Sequence, residues 1–104
     1  GELDRQGANI ERLTTAGVGL AAESGEFLEI VKKMVFQGKP WNDDNREHLI
    51  IELGDVMWYV AQACMALDID FDEVIKRNVQ KLEKRYPGGK FDIGDSENRA
   101  ADDL

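Results

Sequence analysis

Cysteine and histidine are almost missing from this sequence. The 104-residue chain has one of each, Cys64 and His48. A lone cysteine closes no internal disulfide, which fits a reducing cytoplasm. One histidine and one cysteine serve zinc poorly, and one histidine supplies no Ser-His-Asp set. Cys64, inside VAQACMAL, reads as a small buried hydrophobe. No glycine-rich phosphate loop precedes a helix, and GKT or GKS is absent. The longest uninterrupted apolar run falls far short of a membrane span, and no signal peptide is evident. Strand-like alternation is scarce, and neither an internal repeat nor a low-complexity tract occurs. The chain opens on Gly1 rather than Met. That fits a processed or trimmed N terminus, with residues expected upstream. Positive charge is also short: 13 Lys and Arg face 21 Asp and Glu, a formal charge of -8. Such a surface repels a phosphate backbone, so a nucleic-acid polymer or a membrane surface is not the expected partner. One small anionic ligand held through a metal stays open.

Helical periodicity is what the chain does have. A first segment runs from about Asn9 to Gln37, where Gly38 fits a C-cap and Pro40 blocks continuation. A second starts near Asp44, with Glu47 as a capping-box partner, and ends at about Leu67. A third starts at Asp70, with Glu73 three residues on, and stops at Tyr86. The expected fold class is all-α, a bundle of about three to four helices per protomer completed by oligomerisation. Residues 1–86 form the expected catalytic domain, and the polar, Gly-rich residues 87–104 a tail. Three helices bury little surface alone, hence the expectation of partner copies. Gly17 and Gly19 are read as a frayed start of the first helix. Gly25 is read as a point of close approach for a helix or ligand.

Charge placement on these helices is informative. At about 100° per residue, with Leu20 at ~0°, Glu23 lands near ~300° inside the apolar arc of the first helix. Glu26 lands near ~240°, at the edge of the arc, and Glu29 near ~180°, facing away. Glu29 is then an ordinary solvated residue. The second helix is apolar on most sides. Its central polar residues, His48, Glu52, Asp55, Tyr59 and Gln62, gather in one stripe. His48 alone reads more simply as a surface or satisfied histidine. Glu52 and Asp55 repeat the i, i+3 spacing of Glu23 and Glu26.

Four inward carboxylates cannot all stay ionised and unpaired; they take up protons or bind cations. The bland alternative is salt bridges within the bundle. Oxygen-only ligands suit Mg²⁺, with Mn²⁺ as a substitute, and metal-assisted displacement at phosphorus is the matching chemistry. The third helix offers the opposite charge. Asn78, Lys81 and Arg85 form a basic-polar ridge on its otherwise apolar side, suited to phosphate oxygens or to snorkelling along the core edge.

GLAAESGEFLEIVKK, ELGDVMWYVAQ and NVQKLEKRYPGGKF, over about residues 17 to 91, together resemble the MazG-like nucleoside triphosphate pyrophosphohydrolases. The resemblance rests on ExxE, then ExxD, then N-x-x-K-L-x-x-R-Y. It implies Mg²⁺ bound by Glu23, Glu26, Glu52 and Asp55. It implies cleavage of (d)NTP to (d)NMP and pyrophosphate by a homo-dimer or homo-tetramer of helical protomers. Tyr59, Asn78, Lys81 and Arg85 match positions that contact substrate or support the site in that family. Lys33, at the end of the first block, is a further substrate-binding candidate. Many relatives carry two adjacent acids where this chain has Ala22-Glu23.

The expected mechanism is water attack between the α and β phosphates. Glu26 and Glu52 are the catalytic candidates, with Glu26 as the base. Lys81 and Arg85 stabilise the departing pyrophosphate, and Trp41 and Tyr59 border the base or sugar. Two alternatives remain: a non-catalytic helical assembly module, and a phosphoribosyl-nucleotide pyrophosphohydrolase.

Overall fold

In the computed structural model, which describes residues 1–89, every regular element is a helix and no strand occurs among the described residues. The order is α1 (Glu2–Arg5), α2 (Ile10–Phe36), α3 (Asp43–Leu67) and α4 (Phe71–Arg85), followed by a 3-10 turn at Pro87–Gly89. The all-α expectation is met. The proposed tail lies, from residue 90 on, outside the described residues.

Helix α2 starts where its N-cap allows. The Asn9 side chain accepts from the Arg12 backbone N–H at 3.1 Å. At its other end the C-cap is Gln37. Gly38 follows at φ +71°, a left-handed turn that glycine enters without penalty. Gly17 and Gly19 are therefore interior to α2, not part of a frayed start.

Helix α3 is capped two residues earlier than the spacing of Asp44 and Glu47 predicts. Asn42 accepts from the Asn45 N–H at 2.9 Å, while the Asn45 side chain donates to the Pro40 carbonyl at 2.6 Å. This double tie fixes the cap at Asn42. Helix α4 does take Asp70 as its N-cap, but no side-chain capping bond forms. Glu73 instead accepts from Arg77 at 3.0 Å along the helix surface.

The chain divides into two compact units, Gly1–Asp68 and a second that begins at Ile69. The first is a helical hairpin of α2 and α3, with the single turn α1 ahead of it. The hairpin is antiparallel. Thr15 shares a cleft with Gln62, Gly19 meets Tyr59, and Glu23 meets Glu52 and Asp55.

The buried interior is thin. Ala16 and Cys64 are the buried hydrophobic residues among those described, and no large side chain is fully enclosed. Cys64 is a free, buried thiol, as its sequence context predicts. Large apolar groups stay exposed along α3, including Leu53, Trp58 (62%) and Met65. Although it has no long uninterrupted apolar run, α3 is long and apolar enough as a whole to cross a membrane by length and composition. Glu52 and Asp55 lie at its middle, however, where a bilayer makes carboxylates costly.

Candidate active site

Glu52 and Asp55 stand three residues apart on α3 and so share one face of that helix. The antiparallel register brings Glu23 of α2 opposite them. One oxygen from each of the three carboxylates lies within 4.8 Å of the others. Glu23 and Glu52 are half-buried and Asp55 is exposed.

No lysine or arginine pairs with any of the three among the described residues. The ion pairs there join the N-terminal amine with Asp4, Glu2 with Arg5, Glu29 with Lys32, and Glu73 with Arg77. The salt-bridge alternative is therefore not how these acids are held. Glu29 is the solvated residue expected, 3.9 Å from Lys32 on the surface.

Three acids without counter-charge must respond to one another. A hydrogen bond with the Glu52 carboxyl, then partial desolvation, then the charges of Glu52 and Asp55 raise the Glu23 carboxyl above its ordinary 4.5. Glu52 Oε2 is buried and has no hydrogen-bond partner. A buried oxygen of that kind is costly unless a proton held by a neighbouring carboxyl or a bound cation satisfies it. The donor set is entirely oxygen, which fits a hard divalent cation better than zinc. Within this hairpin, Glu23, Glu52 and Asp55 are the residues that would hold it.

Within the hairpin, Glu26, Lys33 and Trp41 stand apart from the three acids. Glu26, at the edge of the apolar arc in angle, is exposed and stands outside the group of three. The space at Gly25 is open, and none of the described residues approaches there. Lys33 is half-buried, ten residues along α2 from Glu23, or ~15 Å. Trp41 is 69% exposed in the loop between α2 and α3, next to the α3 N-cap Asn42 and ~15 Å along α3 from Glu52. Tyr59 lies one turn from Asp55 and packs on Gly19. In the second unit, Asn78 and Lys81 are exposed on α4. Arg85 is half-buried, its guanidinium 5.6 Å from the centre of the Tyr86 ring.

Two features escaped the sequence reading. The first is the Gly19–Tyr59 contact, a meeting of residues forty positions apart. The second is the pair of clefts that continues the α2–α3 groove beyond the carboxylates. Gln62 in the polar stripe of α3 is the one signal that pointed toward them.

Antiparallel helices that carry an ExxE acid against an ExxD pair define a class: all-α proteins with an acidic, cation-ready centre. The comparisons narrow the class. The model of the MazG nucleotide pyrophosphohydrolase domain matches residues 12–90, and the chain belongs to that family. It is also 41% identical over 93 residues to the Gene 37 protein of Mycobacterium phage L5, across 88% of this chain and 80% of that one. No solved structure matches the chain.

Proposed function

We propose that this protein is a Mg²⁺-dependent nucleoside triphosphate pyrophosphohydrolase that cleaves a (d)NTP to (d)NMP and pyrophosphate. The observation that carries this is the Glu23–Glu52–Asp55 cluster, with its raised Glu23 carboxyl and unpartnered Glu52 oxygen. Mg²⁺ bound there would neutralise phosphate charge and make a water more acidic. The remaining work falls to the chain. Glu26, three residues from Glu23 and open to solvent, takes the proton of the attacking water. The water oxygen bonds to the α phosphorus, and the bond from that phosphorus to the α–β bridging oxygen breaks. Lys81 and Arg85 meet the charge that collects on pyrophosphate, and Asn78 orients the same group. This role makes α4 part of the catalytic domain, residues 1–86.

The working form is a homo-dimer or homo-tetramer. The thin interior and the exposed Leu53, Trp58 and Met65 support it. A second copy covers such a helix at no cost to Glu52 and Asp55, whereas a bilayer would oppose both. Trp41 and Lys33 are the remaining substrate-binding candidates, with Trp41 bordering the base or sugar. A cytoplasmic setting accords with the single free cysteine.

Phosphorus NMR of the protein with mixed dNTPs and Mg²⁺ tests the reading. Pyrophosphate and dNMP are expected to appear together, and EDTA should abolish both. Inorganic phosphate with dNDP would show cleavage at the wrong bond. A folded oligomer that turns over no nucleotide would point to an assembly module instead.

A further inference from the structure

The groove between α2 and α3 continues past the carboxylates. About one turn from Glu23, toward the N terminus of α2, lies an apolar cleft of about 390 Å³. Tyr59, Gly19, Val18 and Ala22 line it with Thr14 and Thr15. Thr15 also lines the next cleft, of about 290 Å³, together with Asn9, Glu11, Arg12 and Gln62. The second cleft is polar. Along α2, Glu23, Gly19 and Thr15 are spaced by four residues, so each step is ~6 Å. On α3 the matching steps are Asp55, Tyr59 and Gln62.

Charge, apolar ring and polar edge therefore follow one another along a single groove. A nucleotide is built in the same order and on the same scale: phosphates, sugar, base. We propose that the polar cleft is the base subsite, and that Arg12 and Gln62 select a base carrying a ring carbonyl. This rests on the pyrophosphohydrolase reading and adds its substrate preference.

The donor inventory sets the preference. Both Arg12 and Gln62 are half-buried, and no hydrogen bond or ion pair engages either side chain among the described residues. Arginine offers donors only, so it wants an acceptor on the ligand. Asn9 Oδ1 already accepts from the Arg12 backbone N–H, which leaves it one lone pair. Glu11 offers acceptors only and suits an amino group or ring N–H. The Gln62 carboxamide offers both. Guanine, cytosine, thymine and uracil each present a carbonyl to Arg12 and an N–H to Glu11. Adenine has no carbonyl and offers Arg12 only ring nitrogens, of which N1 and N7 sit beside a donor amino group. Sites built for hydrogen bonds discriminate in this way, because a ligand with a poorer acceptor pattern weakens the bonds the site is built to make.

The test is kcat/KM with Mg²⁺ for dATP, dGTP, dCTP and dTTP, measured for the parent protein, Arg12→Met and Gln62→Leu. Mn²⁺ affinity by electron paramagnetic resonance is measured in parallel. The parent is expected to favour at least one carbonyl-bearing base over adenine by about tenfold or more. Each variant should shrink that gap, its loss being larger on the carbonyl-bearing bases than on adenine, with Mn²⁺ affinity unchanged. If Arg12→Met does not fold, Gln62→Leu carries the comparison alone. Adenine as the preferred base, no base preference, or an equal loss on all four nucleotides overturns the inference while leaving the reaction intact. No turnover of any nucleotide by the parent overturns the functional reading, and this inference with it.

Discussion

The ring of Tyr59 lies so close to the Gly19 backbone that a side chain on residue 19 would overlap it. Glycine at this point of α2 lets the two helices approach one turn from where Glu23 meets Glu52 and Asp55. Gly19→Ala is expected to destabilise the protein by about 1–3 kcal/mol, the usual range for overpacking a tight contact. That loss arises despite the roughly 1 kcal/mol by which alanine favours a helix over glycine. Gly17→Ala meets open space and should stabilise by about 0.5–1 kcal/mol. Urea unfolding of the three proteins at one concentration decides the matter. Equal behaviour of the two substitutions would mean that Tyr59 yields readily.

Glu23 makes metal-free stability depend on pH in a direction opposite to most carboxylates. Its folded-state pKa is raised, so the folded chain holds this proton more tightly than the unfolded chain does. The associated stability is fully present below the ordinary value of 4.5 and is lost as pH rises through the raised value. Glu23→Gln should flatten that part of the profile. Cation binding runs the other way, since the proton competes: Mg²⁺ affinity should fall as pH drops through the same range. Melting curves in EDTA across this range, parent against variant, check the first statement. Calorimetric Mg²⁺ titrations check the second. A Glu23→Gln profile parallel to the parent's would remove Glu23 as the titrating group.

Much of the carboxylate arrangement is readable in the sequence because helical angle is a local property. Glu23 falls inside an apolar arc, and Glu52 and Asp55 fall in one stripe; the structure brings these three together. Glu26 falls at the edge of its arc and is exposed. The ends of α2 were also legible, since Asn9 and Gly38 act on their immediate neighbours. The start of α3 was not, because WNDDN offers several capping side chains. The choice of Asn42 depends on Asn45 reaching back to Pro40. The short α1 was not anticipated either; it is a single turn tied by the N-terminal amine to Asp4 at 3.0 Å. Gly19 reads as a helix defect until Tyr59 is placed upon it, and only the antiparallel register does that.

Asp55 joins stability to turnover. Asp55→Asn removes one of three clustered negative charges, so the metal-free protein should be no weaker than the parent, while kcat/KM falls by about a hundredfold or more. Glu52→Gln should lose activity on the same scale. Glu29→Gln, on the Lys32 side of α2, should lose little. Saturating Mg²⁺ at about a hundred times its Kd contributes ~2.7 kcal/mol, or on the order of ten degrees in Tm for a domain of this size. The parent should show that rise and Asp55→Asn a much smaller one in scanning calorimetry. Equal shifts in both proteins would make Asp55 a bystander.

The end of α3 carries a removable strain. Asp68 is the C-cap, held at φ 52° and ψ 50°, the only non-glycine residue with positive φ among those described. Its N–H donates back to the carbonyls of Cys64 and Met65, so the backbone has a reason to turn there. The side chain works against the position twice. A β-carbon in the left-handed region costs about 1–2 kcal/mol, softened for Asp by its short polar group. A negative charge at a helix C terminus opposes the macrodipole by about 0.3–1 kcal/mol, and no basic residue in the last turn offsets it. Asp68→Asn removes the charge and keeps a residue that tolerates this region, so a gain of about 0.3–1 kcal/mol is expected. Asp68→Gly relieves both costs and should gain more, less the extra freedom glycine gives the unfolded chain. Asp68→Val, β-branched, should destabilise. Denaturant midpoints in that order, Gly and Asn above the parent and Val below, would fit a left-handed cap. A loss of stability in both Gly and Asn variants would mean the Asp68 carboxylate makes a bond worth more than the strain it imposes.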